Sequence, residues 1–226
     1  MKKLFILGNW KSNKTLSEAK SWLADVDRTF PALPPHVTVI VCPNFLALPL
    51  FAEKTHGFSV GAQDISPYET GAYTGEIAAD MAKSLVSHVM IGHSERRKYF
   101  GETDETVAEK TKRAIAAGII PIVCVSAIDQ VQALAVLAPE FSGKGIFLYE
   151  PLFAIGSGKS DSPENADRVA GDIAALFPTV PIMYGGSVTA ENVKGFINAT
   201  HLSGVGAGGA SLTPHTFLAL ITSVIA

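Results

Sequence analysis

Glu150 stands at the end of Gly145-Ile146-Phe147-Leu148-Tyr149, an apolar, β-branched and aromatic run of the kind that fills a buried parallel strand. A carboxylate at the mouth of such a strand can take or give a proton. Pro151 bars helix at Glu150 and stiffens the exit, while Gly156 and Gly158 free the backbone a few residues later. The segment Pro151-Leu152-Phe153-Ala154-Ile155-Gly156-Ser157-Gly158-Lys159-Ser160-Asp161 therefore reads as a hinged flap beside an acid. Other polar groups occupy the same kind of position. Asn9 and Lys11 lie just past Leu4-Phe5-Ile6-Leu7, and His93, Ser94 and Glu95 lie just past His88-Val89-Met90-Ile91. Gly185-Gly186-Ser187 and Gly206-Ala207-Gly208-Gly209-Ala210-Ser211 follow two later runs and offer backbone N–H groups suited to a phosphate. Together, a carboxylate base, an imidazole, an ammonium and an N–H cradle are the parts needed to remove a proton beside a carbonyl and hold the resulting enediolate. Taken singly, each is blander: loop carboxylates are mostly solvated, and most histidines only satisfy a hydrogen bond. Convergence of the elements decides between the two readings.

Those elements alternate along the chain. After the first apolar run, Thr15 and Glu18 have capping-box spacing, and Trp22, Leu23, Val26 and Phe30 recur at helical intervals until Pro31, Pro34 and Pro35 stop the helix. Val37 to Cys42 is a second strand with a helix-like stretch from Phe45 to Lys54 behind it, and Phe58 to Ala62 is a third, followed by a loop from Gln63 to Gly75. His88 to Ile91, Ile119 to Val125, Gly145 to Tyr149, Pro181 to Tyr184 and His201 to Val205 bring the expected strands to eight. Almost none alternates in and out, so both faces must be covered, as parallel strands with crossover helices require. Eight such units in 226 residues point to a closed, shortened (β/α)8 barrel in a single domain over residues 1–226, rather than an open doubly wound sheet. In a barrel the C-terminal strand ends meet on one face.

A net charge of -3 with no basic run argues against nucleic acid as a partner, yet leaves room for one local anion pocket. Cys42 and Cys124 sit inside apolar runs as small buried hydrophobes, which fits a reducing compartment. The apolar run behind Met1-Lys2-Lys3 ends at Gly8-Asn9, too short for a signal segment or a membrane span, so the expectation is a cytoplasmic protein without a membrane partner. No metal-ligand cluster, dinucleotide fingerprint or nucleophile elbow is present in the sequence, and no cofactor is expected.

Asn9-Trp10-Lys11, Ile91-Gly92-His93-Ser94-Glu95-Arg96-Arg97, Tyr149-Glu150-Pro151 with Ala154-Ile155-Gly156, Tyr184-Gly185-Gly186-Ser187-Val188 and Gly208-Gly209-Ala210-Ser211-Leu212 resemble the triosephosphate isomerase family, in the family's order and across essentially the whole chain. The resemblance implies a TIM barrel in which Glu150 shuttles a proton between adjacent carbons of dihydroxyacetone phosphate and glyceraldehyde 3-phosphate, a reaction of glycolysis and gluconeogenesis. It implies that a neutral His93 polarises the carbonyls, that Lys11 supplies fixed positive charge, and that Asn9 donates to the substrate oxygens. By the same resemblance the backbone N–H groups of Gly156, Ser187, Gly208 and Gly209 hold the phosphate, and the flap closes over it. Glu95 and Arg96 either pair with each other or support Lys11; Glu95 is read as a support beside the site and Arg96 as structural, as are Cys124, which the resemblance puts close to Glu150, and Tyr184, a packing or loop contact. The loop Gln63 to Gly75 resembles the family segment that inserts into a neighbouring subunit beside Lys11 and His93, which implies a homodimer, with a tetramer as the alternative. Two other readings remain: an isomerase for a different phosphorylated sugar, and a phosphate-metabolite binding protein that has lost catalysis.

The chain also departs from the family pattern. Ser126-Ala127 stands where the family has glycine and glutamate, and Phe153 where it has tryptophan, so an indole donor and its acid acceptor are lost together. Ala174 and Ser203 likewise replace an arginine and an aspartate that pair. Gly206 and Ala207 replace bulkier residues beside the phosphate loop, and the shortening falls between Cys124 and Gly145 and around the last two helices. The expectation is an active enzyme with altered lid motion.

Overall fold

The computed structural model describes residues 2–53 and 57–226. In chain order its elements are β1 (Leu4–Asn9), α1 (Leu16–Thr29), β2 (Val37–Cys42), α2 (Leu48–Ala52), β3 (Ser59–Ala62), α3 (Ala79–Ala82), β4 (His88–Ile91), α4 (Ser94–Phe100), α5 (Asp104–Ala116), β5 (Ile120–Val125), α6 (Ile128–Leu137), β6 (Ile146–Tyr149), α7 (Pro163–Leu176), β7 (Ile182–Gly185), α8 (Val193–Ile197), β8 (Gly204–Ala207) and α9 (Pro214–Ile225). The strands pair in sequence order, all parallel, and β8 closes on β1 through Phe5↔Gly204 to Gly8↔Ala207. This is the (β/α)8 barrel expected from the unbroken apolar runs.

The physical basis of those runs is two cores, one on each side of a single sheet. Leu7, Ile40, Cys42, Met90, Ile122, Cys124, Ile146, Leu148 and Met183 fill the barrel interior. Their neighbours along the strands, such as Ile6, Val39, Val41, Val89, Val123 and Phe147, face outward into the larger core beneath the helices. At the start of that outer shell Trp10 packs edge-on against Trp22 at 4.9 Å and Phe51 at 5.3 Å, joining the exit of β1 to α1 and α2. Thr15 caps α1 through the expected box: its hydroxyl accepts from the Glu18 N–H, and the Glu18 carboxylate accepts from the Thr15 N–H at 2.7 Å.

Several boundaries differ from expectation. β1 runs on to Asn9, so Asn9 is the last strand residue and not part of the loop. The stretch from Phe45 is a 3-10 turn (Phe45–Ala47) followed by α2, which ends at Ala52; Lys54 and Met1 lie outside the described residues. The largest shift is at β8, expected over His201–Val205 and found at Gly204–Ala207. His201 is instead drawn toward α7, where its N–H donates to Asp167 Oδ1 at 2.6 Å and its ring lies 3.2 Å from Oδ2. That pair supplies a tie between α7 and the approach to β8 where Ala174 and Ser203 carry no charge. The shortening is visible as the five-residue α8 and, between β5 and β6, the ten-residue α6 with a 3-10 turn (Pro139–Phe141) behind it.

Candidate active site

At the C-terminal end of the barrel a cavity of about 360 Å³ is lined by Asn9, Lys11, His93, Glu150 and the glycine-rich segments that contain Gly156, Ser187, Gly208 and Gly209. All eight of these residues, scattered over the chain, converge there because each follows or ends a parallel strand. Glu150 and His93 are both buried, at 4% and 5% exposure. Glu150 Oε1 lies 3.1 Å from His93 Nε2. Glu150 is held at its backbone by donating its N–H to Val125 O at 2.8 Å, while its Oε2 is buried and accepts no hydrogen bond. An unsatisfied buried carboxylate oxygen is costly unless a ligand uses it. The Cys124 thiol faces the same carboxylate, and burial together with that charge pushes its pKa well up, which keeps it a neutral core group.

His93 caps α4, and its Nδ1 accepts the Glu95 N–H at 3.2 Å. That bond leaves the hydrogen of the neutral ring on Nε2, aimed at Glu150. Burial disfavours the imidazolium, but the Glu150 carboxylate outweighs it, so the pKa of His93 is raised while the two side chains touch; Lys11 opposes the rise. Lys11 sits in the left-handed region at φ 52°, a conformation that non-glycine residues enter only when held. Three contacts hold it. Its N–H donates to Asn9 Oδ1 at 2.9 Å, its carbonyl accepts from Gln63 Nε2 at 2.9 Å, and its ammonium donates to Glu95 Oε1 at 2.5 Å. Of the two partners expected for Glu95, the one it touches is Lys11. Arg96 pairs with Asp64 and Glu102 in a buried cluster with Lys110, a structural place.

The flap begins as a 3-10 turn over Leu152–Ala154, with Leu152 and Phe153 exposed and Ala154 buried. Gly156 and Gly158 both have positive φ, 68° and 74°, so the two expected hinge positions are the ones that need glycine. Both ends of the flap are tied to the β7 region. The Ser187 hydroxyl donates to Ala154 O at 2.9 Å, and the Asp161 N–H donates to the Tyr184 hydroxyl at 2.7 Å. Tyr184 is thus both packing, stacked on Phe196 at 4.1 Å, and a loop contact. The Ala127 side chain caps nothing, and the Ser126 N–H at that turn donates to Gln130 Oε1 at 2.8 Å.

Two parts of the site escape sequence reasoning. The sequence places Gln63 in the interface loop alone, and nothing local announces that its amide reaches back to Lys11. Leu148 reads as strand filler, yet with Leu7 and Ile155 it forms the apolar wall of the cavity. A Cβ added at Gly206 would come within 2.9 Å of Leu148 Cδ1, and one at Gly185 within 3.1 Å. The small residues at β7 and β8 thus make room for one large side chain on β6. Gly206 and Ala207 belong to β8 itself and not to the loop, so the phosphate-loop candidates begin at Gly208.

The family model for Triosephosphate isomerase matches residues 4–224. The chain is also 38% identical to a triosephosphate isomerase of Thermus thermophilus, over 98% of each chain. With the closed eightfold barrel and the motif order found here, these matches establish that the chain belongs to the triosephosphate isomerase family.

Proposed function

We propose that the protein interconverts dihydroxyacetone phosphate and D-glyceraldehyde 3-phosphate by proton transfer through an enediolate, the step shared by glycolysis and gluconeogenesis. The observation that carries this reading is the 3.1 Å approach of Glu150 Oε1 to His93 Nε2 inside a cavity that Lys11 and the glycine segments complete. Glu150 removes a proton from the carbon beside the carbonyl and returns it to the neighbouring carbon. His93 donates its Nε2–H to the oxygen that gains charge. Once Glu150 turns to the substrate carbon, the pull that raises the His93 pKa weakens, and burial and Lys11 then act against the Glu95 carboxylate to disfavour the imidazolium, while the Glu95 N–H occupies Nδ1. A neutral donor matches an enediolate oxygen better than a strongly acidic one, because it can donate to each oxygen in turn.

Lys11 places fixed charge near the developing oxyanion, and Asn9 borders the same space. The phosphate rests on the backbone N–H groups of Gly156, Ser187, Gly208 and Gly209. Closure of the flap excludes water, which would otherwise protonate the enediolate wrongly or promote loss of phosphate. Proton transfer of this kind moves no electrons to an acceptor and calls for no cofactor.

The working unit is a homodimer in the cytoplasm. The loop from Gln63 to Gly75 supports the dimer: Tyr68 and Tyr73 stack at 4.3 Å and remain half exposed, while Glu69 is pinned by Arg113 at 2.5 Å and Gln63 links the base of the loop to Lys11. Free, buried Cys42 and Cys124 support a reducing compartment. The deciding experiment is turnover of glyceraldehyde 3-phosphate by the purified protein beside Glu150→Gln, which keeps shape and removes the base. Turnover that falls by at least about a hundredfold in the variant is expected. A folded protein that binds a phosphorylated enediolate analogue without turning over the triose would overturn the assignment. Light scattering that finds a fully active monomer would remove the dimer.

A further inference from the structure

The N-terminal mouth of the barrel, opposite the Glu150 site, opens into a second cavity of about 810 Å³. Its polar side chains are Lys3, His36, Thr38, His88, Lys144 and Thr179, and no carboxylate lines it, although the chain as a whole is acidic. Strand alternation explains how these residues meet. Ile40, Met90, Ile122 and Leu148 fill the barrel interior, so Thr38, His88, Ile120 and Ile146, two residues earlier on their strands, form the layer beneath. The register partner of His88 on β3 is Gly61, whose side-chain position is taken up by Cys42 and Ile40 of β2.

His88 is the built part of this cavity. It is only 5% exposed, its Nδ1 lies 2.8 Å from the Ser87 hydroxyl, and its Nε2 has no partner among the described residues. Ser87 Oγ is also 3.2 Å from Val60 O. Turning the Ser87 proton from Val60 O to Nδ1 leaves the ring's one hydrogen on Nε2 without any change of charge. His36 adds a second unsatisfied imidazole, its Nδ1 buried without a hydrogen bond. The Lys3 and Lys144 side chains line the same mouth with no ion-pair partner among the described residues. Two ammonium groups repel a metal cation but complement negative oxygen.

We propose that this N-terminal cavity binds a small, multiply charged oxyanion, phosphoryl or polycarboxylate, held by Lys3, Lys144 and the inward-facing imidazoles of His88 and His36. Burial holds the His88 imidazolium down, to about 4, so near neutral pH the ring acts as an uncharged donor and binding requires no proton uptake.

The test titrates pyrophosphate and citrate into the full-length protein near neutral pH while the imidazole NMR signals of His88, His36 and His93 are followed. Saturable shifts of His88 and His36 with a dissociation constant of about 1 mM or tighter are expected for at least one anion, and the tighter of the two distinguishes phosphoryl from carboxylate chemistry. The double variant Lys3→Gln/Lys144→Gln weakens that binding by about tenfold or more and leaves triose turnover unchanged. Thr179→Asp, which sets a carboxylate at the exposed rim, produces the same loss by repulsion and serves if the lysine variant is poorly folded. His93 reports separately on any anion in the Glu150 cavity. His88 and His36 signals that stay fixed up to about 20 mM of both anions, or binding that none of the variants weakens, would overturn the proposal.

Discussion

Leu148 is the side chain around which the floor of the Glu150 cavity is fitted, and a double-mutant cycle with Gly206 measures that fit. Leu148 is 2% exposed. Leu148→Ala removes a buried branched side chain that spans from β6 toward β8, at a cost of about 3 kcal/mol. Gly206→Ala alone drives a methyl to 2.9 Å from Leu148 Cδ1, closer than carbon atoms tolerate, and overpacking of that size costs about 1–2 kcal/mol. In the double variant the new methyl enters space that the leucine has vacated. The clash disappears and part of the cavity is filled, so the double variant loses about 1–2 kcal/mol less than the sum of the singles. Urea unfolding of the four proteins, followed by coincident circular dichroism and fluorescence, supplies the free energies. Steady-state kinetics on the same four proteins test the link to function. Leu148→Ala admits water beside Glu150 and lowers kcat by about tenfold, and Gly206→Ala in that background restores part of it. Additivity of the two stability changes within about 0.3 kcal/mol would refute the reasoning, because the two positions would then not share one space.

Tyr184→Phe removes the acceptor for the Asp161 N–H at the far end of the flap but keeps the stack on Phe196; a loss of about 1 kcal/mol in lid closure should appear as a roughly fivefold drop in kcat/KM with little change in unfolding free energy. Unaltered kinetics would show that this bond does not restrain the flap. Lys110 is 3% exposed and bonds both Asp64 and Glu102, so Lys110→Met leaves two buried carboxylates with Arg96 as their one cationic partner among the described residues and should destabilise by about 3–5 kcal/mol in denaturant unfolding; a loss below about 1 kcal/mol would contradict the cluster's role. His88 predicts a pH dependence. Burial lowers its pKa from 6.5 to about 4, so between those values the unfolded chain binds more protons than the folded one, and stability present above pH 6.5 is lost as pH falls toward 4. The loss attributable to His88 is about 2–3 kcal/mol, and a His88→Gln variant whose stability declines with acid as steeply as wild type would remove that attribution.

Much of the protein was legible in the sequence because it is encoded over short spans. The capping box at Thr15 and Glu18 needs only a helix start, and the buried strand runs need only a sheet covered on both faces. That Lys11, His93 and Glu150 meet in one cavity was legible because each sits at or just past a strand end, and parallel strands in a barrel carry all such ends to one face. What only the tertiary structure decided are the relations between residues far apart in the chain. Asp64 and Lys110 lie 46 positions apart, and no local pattern marks them as a buried pair. His201 reads as the start of a strand until Asp167, 34 positions away, claims its N–H and moves β8 toward the glycines. The glycine at position 206 is explained by Leu148 on a strand two places round the barrel, and the mouth lined by Lys3 and Lys144 exists only once β1 and β6 share a cylinder. Propensity and periodicity act through neighbours a few residues apart, whereas cavities, buried ion clusters and strand registers are set by which distant side chains closure of the barrel forces into the same space.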